Sequence, residues 1–80
     1  MPRVSIENLK DIDPLSAYRL SDIDSGGVAE YYGYVATGGG WYILKLTSTE
    51  ARYCKGDKDY ITNWGNRDTS LVYGYFNNVF

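Results

Sequence analysis

The sequence has no histidine and only one cysteine, Cys54, among its 80 residues. A disulfide needs two cysteines. A zinc site, a Ser-His-Asp triad or a Cys-His dyad needs histidine or several cysteines. None of these centres can be built within one chain of this composition. We therefore expect no catalytic residues of these types, no bound metal and no cofactor.

The chain also lacks an excess of positive charge and any long apolar run. Eight basic and ten acidic residues give a formal net charge of −2 and a sequence pI near 4.8. Nucleic-acid binders carry a basic excess that neutralises phosphates, and a membrane span needs ~18 consecutive apolar residues. The first residues have neither the apolar stretch nor the cleavage site of a signal peptide. We expect no nucleic-acid or membrane partner, synthesis in the cytoplasm and a reduced thiol at Cys54.

Aromatic residues, in contrast, are unusually abundant. Nine tyrosines, two tryptophans and two phenylalanines make up 16% of the chain, and nine glycines accompany them. This composition is typical of strands and turns. Because tyrosine combines a packing ring with a polar hydroxyl, such rings suit an interface with a partner and also the lid of a small core. Both interpretations stay open for the candidate aromatic interaction surface, which consists of Tyr31, Trp41, Tyr60, Trp64 and Tyr73. Of these, Tyr31, Trp41 and Tyr60 are the residues expected on the exposed face of the domain.

Residue alternation predicts a mainly β fold, a small antiparallel meander or sandwich-like sheet with one short helical turn. Strands are expected over 18–24, 28–37, 41–47, 51–55 and 71–76, with an antiparallel meander over 28–55. Tyr18, Leu20 and Asp22 would share one face of the first strand. The spacing over 57–65 allows one or two helical turns, capped by Asp57 or Asp59 and ended at Gly65. The Tyr-Gly-Tyr elements around Gly33 and Gly74 could lie on neighbouring strands.

Residues 1–17 differ from the remainder of the chain. They carry sparse aliphatic residues and no aromatic one, and their spacing fits neither a helix nor a strand. A short helix before Asp13-Pro14 and an extended arm are both compatible with this pattern. We interpret residues 1–17 as a docking arm and residues 18–80 as a small antiparallel β domain. The arm residues expected to dock on a neighbour are Val4, Ile6, Leu9 and Ile12.

Several short motifs have simpler interpretations than the chemistry they suggest. The segment from Asp22 to Gly27 lacks the later ligands of a calcium loop, so we interpret it as an acidic turn. Gly38-Gly39-Gly40 is followed by neither Lys-Ser/Thr nor a helix, and it favours a hairpin over a phosphate loop. Cys54 is either a thiol activated by nearby Arg52 and Lys55 or a small core residue, and the second interpretation is favoured.

The order of motifs from Tyr31 to Phe80 resembles small, uncharacterised virion-associated proteins of tailed bacteriophages. The resemblance rests on Tyr-Gly-Tyr leading to Trp41-Tyr42-Ile43, on Arg52-Tyr53-Cys54-Lys55-Gly56, on Asn63-Trp64-Gly65-Asn66-Arg67 and on Ser70-Leu71-Val72-Tyr73. Cys54 departs from the small residue expected at its place. The resemblance implies a tail- or fibre-associated piece or a capsid-surface (decoration) protein.

Together these features favour a protein that is not an enzyme, because 80 residues leave little room for a cleft with a substrate wall on each side. We expect a virion structural protein that attaches to other virion proteins and forms a homo-oligomer, which would supply burial that one chain lacks. One alternative is a module that binds a host-surface glycan or receptor, in which a platform of aromatic rings stacks on sugars. Its rings would be Trp41, Tyr42, Tyr60, Trp64 and Tyr73. Another is a small cytoplasmic regulator that binds a host protein.

Overall fold

The computed structural model of the protein describes residues 15–80, which contain four strands and two short helices. The strands are β1 (Tyr18–Asp24), β2 (Glu30–Ala36), β3 (Trp41–Leu46) and β4 (Ala51–Gly56). The helices are α1 (Tyr60–Gly65) and α2 (Phe76–Val79). The expected arm residues Val4, Ile6, Leu9 and Ile12 lie outside the described residues, and residues 15–17 form a turn that leads into β1.

The four strands form one antiparallel sheet in the order β1-β2-β3-β4, which confirms the mainly β prediction and the meander. The turn between β2 and β3 shows why glycines follow the aromatic strand. Ala36 N donates to Gly40 O at 2.8 Å, and Gly39 has a φ of 101° that an L side chain rarely adopts. The triple-glycine segment is therefore a hairpin turn.

A bulge in β1 changes which residues share a face. Leu20 pairs with Tyr34, but the next paired residue is Asp22, which faces Gly33, so Ser21 is the extra residue. Residues paired across an antiparallel ladder lie on the same face. Asp22 therefore lies on the face opposite that of Leu20, which corrects the expectation that Tyr18, Leu20 and Asp22 point the same way.

The two faces of the sheet carry different coverings. On the first, here called the core face, Tyr31, Trp41 and Ile43 form the buried cluster, and α1 and the residues after it pack against them. The other, here called the tyrosine face, carries rings of β1 to β4, and α2 packs on part of it. Alternation in β2 and β3 was predicted correctly for both faces, because strand periodicity is a local property of the backbone.

The expected last strand over 71–76 is wrong. Only Gly74 forms a bridge, exchanging two backbone hydrogen bonds of 2.8 Å with Tyr53 of β4. The chain crosses the edge of the sheet at this point and then forms α2, because Phe76 and Phe80 are one helical turn apart and both rings contact Tyr53. Gly74 consequently neighbours β4 rather than the Tyr-Gly-Tyr element of β2.

Candidate interaction surface

The five aromatic residues predicted to form an interaction surface come together, but as part of the core. Tyr31 and Trp41 are buried, with exposed fractions of 8% and 3%, which corrects the expectation that they lie on an exposed face. Tyr60, Trp64 and Tyr73 are half-buried and pack against the same cluster. The reason is that alternation places Tyr31 and Trp41 on the side of the sheet that α1 covers. The interpretation as a core lid is the one that the structure bears out for these rings.

Two glycines shape this core. A Cβ on Gly33 would lie 2.9 Å from Cζ of Tyr60 and 3.0 Å from Cε3 of Trp64, so α1 can approach β2 only because this side chain is missing. A Cβ on Gly56 would lie 2.6 Å from Cε2 of Trp41, its cross-strand partner. Aromatic rings therefore cover the sheet at both glycines, where no side chain is present.

Polar contacts join β1 and the α1 region across the core face. The Tyr60 hydroxyl donates to Oδ2 of Asp22 at 2.7 Å. The Arg67 guanidinium forms an ion pair with Asp24 at 2.9 Å, and it stacks 4.5 Å from the ring of Trp64. Because the Ser21 bulge turns both carboxylates toward α1, these links give a structural role to two acidic residues that the sequence pattern placed in an acidic turn.

The capping of α1 also differs from the prediction. Asp59 is the N-cap residue, but its side chain makes no capping hydrogen bond and its backbone is left-handed, with φ 61°. Instead, the carbonyl of Asp59 accepts hydrogen bonds from the backbone and side-chain nitrogens of Asn63, at 3.0 and 2.9 Å. The helix ends at Gly65, as predicted.

Burial shifts the protonation of three groups near the core face. It is the main cause that raises the pKa of Tyr60 and of Tyr73, and the Asp22 carboxylate raises the pKa of Tyr60 further by accepting its hydrogen bond. Burial also raises the pKa of the Cys54 thiol, which packs against the buried cluster. Cys54 therefore packs as a small, half-buried core residue, and its pKa is not lowered as that of an activated thiol would be.

On the tyrosine face, Tyr42 is the central ring. It stacks on Tyr34 with ring centroids 4.5 Å apart, and Tyr18 and Phe80 contact it edge-on at 5.1 and 5.3 Å. This cluster was not predicted from the sequence. The signal for it was the hairpin itself, because a turn at Gly38-Gly40 places Tyr34 opposite Tyr42.

The part of the tyrosine face away from β4 leaves apolar side chains exposed, and we call this region the apolar surface. Ile23, Tyr32 and Leu44 form a row across β1, β2 and β3. Leu20, Ile23 and Leu46 are 49%, 58% and 36% exposed. A shallow cleft of about 350 Å³ extends the surface past Leu46 and is lined by Val28, Glu30, Leu46, Thr47 and Ser48. The apolar surface consists of Leu20, Ile23, Tyr32, Leu44 and Leu46.

The apolar surface reaches the edge of the sheet. β1 is one of the two edge strands of the sheet, and within residues 15–80 no further strand pairs with its free side. The Ser21 bulge interrupts this edge, as bulges do in natural sheets that avoid edge-to-edge pairing. We therefore expect association through the apolar surface to bury the face of the sheet rather than to pair strands along the β1 edge.

Within residues 15–80, no group of three or more cysteine or acidic residues is arranged to hold a metal ion. No helix there is long and apolar enough to cross a membrane. Comparison of the chain with protein-family models, with curated proteins and with solved structures finds no match.

Proposed function

We propose that this protein is a non-enzymatic structural protein of a bacteriophage virion, tail- or fibre-associated or on the capsid surface, that attaches to other virion subunits. The assignment to a virion rests on the resemblance of residues 31–80 described above. The proposal that the domain works by attachment rests on the apolar surface. Its partly exposed leucine and isoleucine side chains continue an aromatic sheet face that α2 covers on the β4 side, where Phe76 and Phe80 contact Tyr53.

The apolar surface is proposed to pack against a second copy of the chain. Its row of Ile23, Tyr32 and Leu44 presents two aliphatic side chains and an aromatic ring, so two such rows can face each other about a two-fold axis. Only four hydrophobic residues of the described chain are buried, namely Tyr31, Trp41, Tyr42 and Ile43. Self-association would add burial to this small core. Fully burying an exposed leucine or isoleucine contributes about 1.5–3 kcal/mol, and Leu20 and Ile23, which are 49% and 58% exposed, have about half of that still to gain.

Sedimentation of paired variants tests the self-association. L20S/I23S removes two apolar side chains from the surface, and we expect its dimer dissociation constant to rise at least about tenfold. I61S/V72S is the matched control, because Ile61 and Val72 are 77% and 86% exposed outside the surface. An L20S/I23S protein that unfolds at the same urea concentration as the wild type and still dimerises equally well would contradict the self-association.

The role of residues 1–17 as a docking arm is tested on particles. We propose that the aliphatic side chains Val4, Ile6, Leu9 and Ile12 insert into a neighbouring virion subunit. Deletion of residues 2–12 is then expected to leave a folded β domain, measured by circular dichroism, that no longer joins particles. Full incorporation of the truncated protein would count against the arm.

Mass spectrometry of purified particles tests the virion assignment itself. We expect the protein in the particles at a fixed copy number. A few to a dozen copies would indicate the tail or neck, and hundreds would indicate the capsid shell. Its absence from particles, together with its presence in the lysate of infected cells, would overturn the proposal and favour the regulator alternative.

A further inference from the structure

A second cleft lies on the core face, beside the turn between β3 and β4. Its volume is about 300 Å³, at the lower end of the roughly 300–1,000 Å³ of small-molecule sites. The cleft lies on the opposite side of the sheet from the apolar surface. Its lining combines two cations, a carboxylate, a hydroxyl and two apolar walls, contributed by Lys45, Thr47, Glu50, Arg52, Leu71 and Tyr73.

The two cations of this cleft directly face each other. Lys45 and Arg52 are paired across β3 and β4, and like charges in such a pair destabilise a sheet. Arg52 is partly compensated, because it lies 3.5 Å from the carboxylate of Glu50 and stacks 4.0 Å from the ring of Tyr75. Lys45 has no carboxylate within 4.0 Å among residues 15–80, and its ammonium lies 5.7 Å from the ring centroid of Tyr73. An anion between the two cations would relieve their repulsion.

We propose that this cleft binds an acidic sugar, whose carboxylate is held by Lys45 together with Arg52. The lining carries two positive charges and one negative charge, which matches a ligand with a single carboxylate. The ring of Tyr73 and the side chain of Leu71 form an apolar wall for the carbon face of a sugar. The carboxylate of Glu50 accepts hydrogen bonds from sugar hydroxyls.

The backbone around the cleft favours a sugar over a peptide as the source of the carboxylate. Extended peptides obtain much of their affinity by adding a strand to a free sheet edge. β3 is paired on both sides, with β2 and β4, and β4 is bridged to Gly74. The cleft therefore offers side chains rather than unpaired backbone groups. The glycan-binding alternative drawn from the aromatic residues thereby gains a site with mostly different residues, because only Tyr73 is shared.

Titration of the full chain with single sugar acids, followed by NMR chemical shifts of backbone amides, tests the proposal. Glucuronic acid and N-acetylneuraminic acid are the probes, and glucose is the neutral control. We expect saturable shifts at residues 45–52 and 71–73 with at least one of the acids, and none with glucose. Because the contact is between charges, added salt is expected to weaken it.

Two matched lysine variants locate the site. K45M is expected to weaken binding at least about tenfold, the usual cost of losing a charge-assisted hydrogen bond. K55M is the control, because Lys55 lies on the other face of β4, 5.3 Å from the ring of Phe80, and its affinity should be unchanged. K45M also removes the Lys45–Arg52 repulsion, so its urea midpoint should equal or exceed that of the wild type, which shows that it folds.

Four results would overturn the acidic-sugar site. These are no saturable shift with either acid at millimolar concentration, equal binding of glucose, equal losses in K45M and K55M, and preferential binding of a peptide that ends in a free carboxylate. The proposal does not depend on the virion assignment, since purified protein is titrated and no particle is involved. A negative titration would therefore contradict the acidic-sugar site but not the virion assignment. Absence of the protein from particles would contradict the virion assignment but not the acidic-sugar site.

Discussion

The backbone of Gly33 and the ring of Tyr60 are in such close contact that no side chain fits at position 33 without displacing the ring. A Cβ on Gly33 would lie 2.9 Å from Cζ of Tyr60, whose hydroxyl is anchored on Asp22 at 2.7 Å. The ring cannot easily swing away, because it also contacts Trp64 and Trp41 with centroids 6.2 and 6.3 Å apart. The missing side chain at Gly33 therefore allows α1 to pack closely against β2.

Gly33→Ala is expected to lower the free energy of unfolding by about 1–3 kcal/mol, because the added methyl overpacks the contact with Tyr60 and Trp64. Urea denaturation measures this change. Gly38→Ala is the control, since a Cβ there meets no atom within 4 Å and its backbone is not left-handed. Equal stability of the two variants would show that α1 packs against β2 less tightly than the structure indicates.

The Tyr60–Asp22 hydrogen bond is expected to couple α1 to the bulged edge strand. A double-mutant cycle of Tyr60→Phe and Asp22→Ala, in which each single variant removes the hydrogen bond, should give a coupling energy of about 1–2 kcal/mol, because the acceptor is charged and the contact is half-buried. Tyr32→Phe is the comparison, since the Tyr32 hydroxyl donates to Glu30 within the same strand. It should cost less than Tyr60→Phe, and additive effects in the cycle would contradict the coupling.

Stability is expected to fall at alkaline pH. The folded protein raises the pKa of Tyr60 and of Tyr73 above the ordinary value of about 10, so folding favours their protonated forms. This contribution is fully present below pH 10 and is lost as the pH rises above it, because the unfolded chain then ionises first. Urea midpoints above and below pH 10 measure the loss.

Tyrosine absorbance provides the second readout of the same effect. Above pH 10, part of the tyrosinate signal of the nine tyrosines should appear only when urea unfolds the chain. Tyr60→Phe should be less stable than the wild type at neutral pH, yet it should lose stability less steeply above pH 10. Complete ionisation of all tyrosines while the protein is still folded would contradict the burial of these hydroxyls.

Arg67 is expected not to be replaceable by lysine. Its guanidinium contacts Asp24 through Nε and Nη2, at 3.0 and 2.9 Å, and donates from Nη1 to Trp64 O at 2.8 Å. Lysine has a single ammonium and cannot reproduce this fork, so Arg67→Lys should cost about 1 kcal/mol. Arg19→Lys is the control, because Arg19 is exposed and, within residues 15–80, donates only to backbone carbonyls. Equal unfolding midpoints of the two variants would contradict the role of the fork.

How far the sequence could be interpreted depended on how local each feature was. The faces of β2 and β3 and the hairpin at Gly38-Gly40 followed from alternation and glycine chemistry, because each involves neighbouring residues. The burial of Tyr31 and Trp41 did not follow, since both faces of the strands are apolar and the pattern does not state which face α1 will cover. The apolar surface lies partly on β1, and the bulge at Ser21 gives that strand a mixed pattern.

The sequence by itself determined a small, acidic, tyrosine-rich chain with a β meander, because strand period and turn residues act within a few positions of the backbone. Only the tertiary structure decided that the last aromatic segment is a helix, that Asp22 and Asp24 turn inward, and that Lys45 faces Arg52. The physical reason is that each of these depends on residues distant in sequence. The ring of Tyr53 packs against α2. Tyr60 and Arg67 bind the carboxylates of β1, and the register of β3 with β4 places Lys45 opposite Arg52.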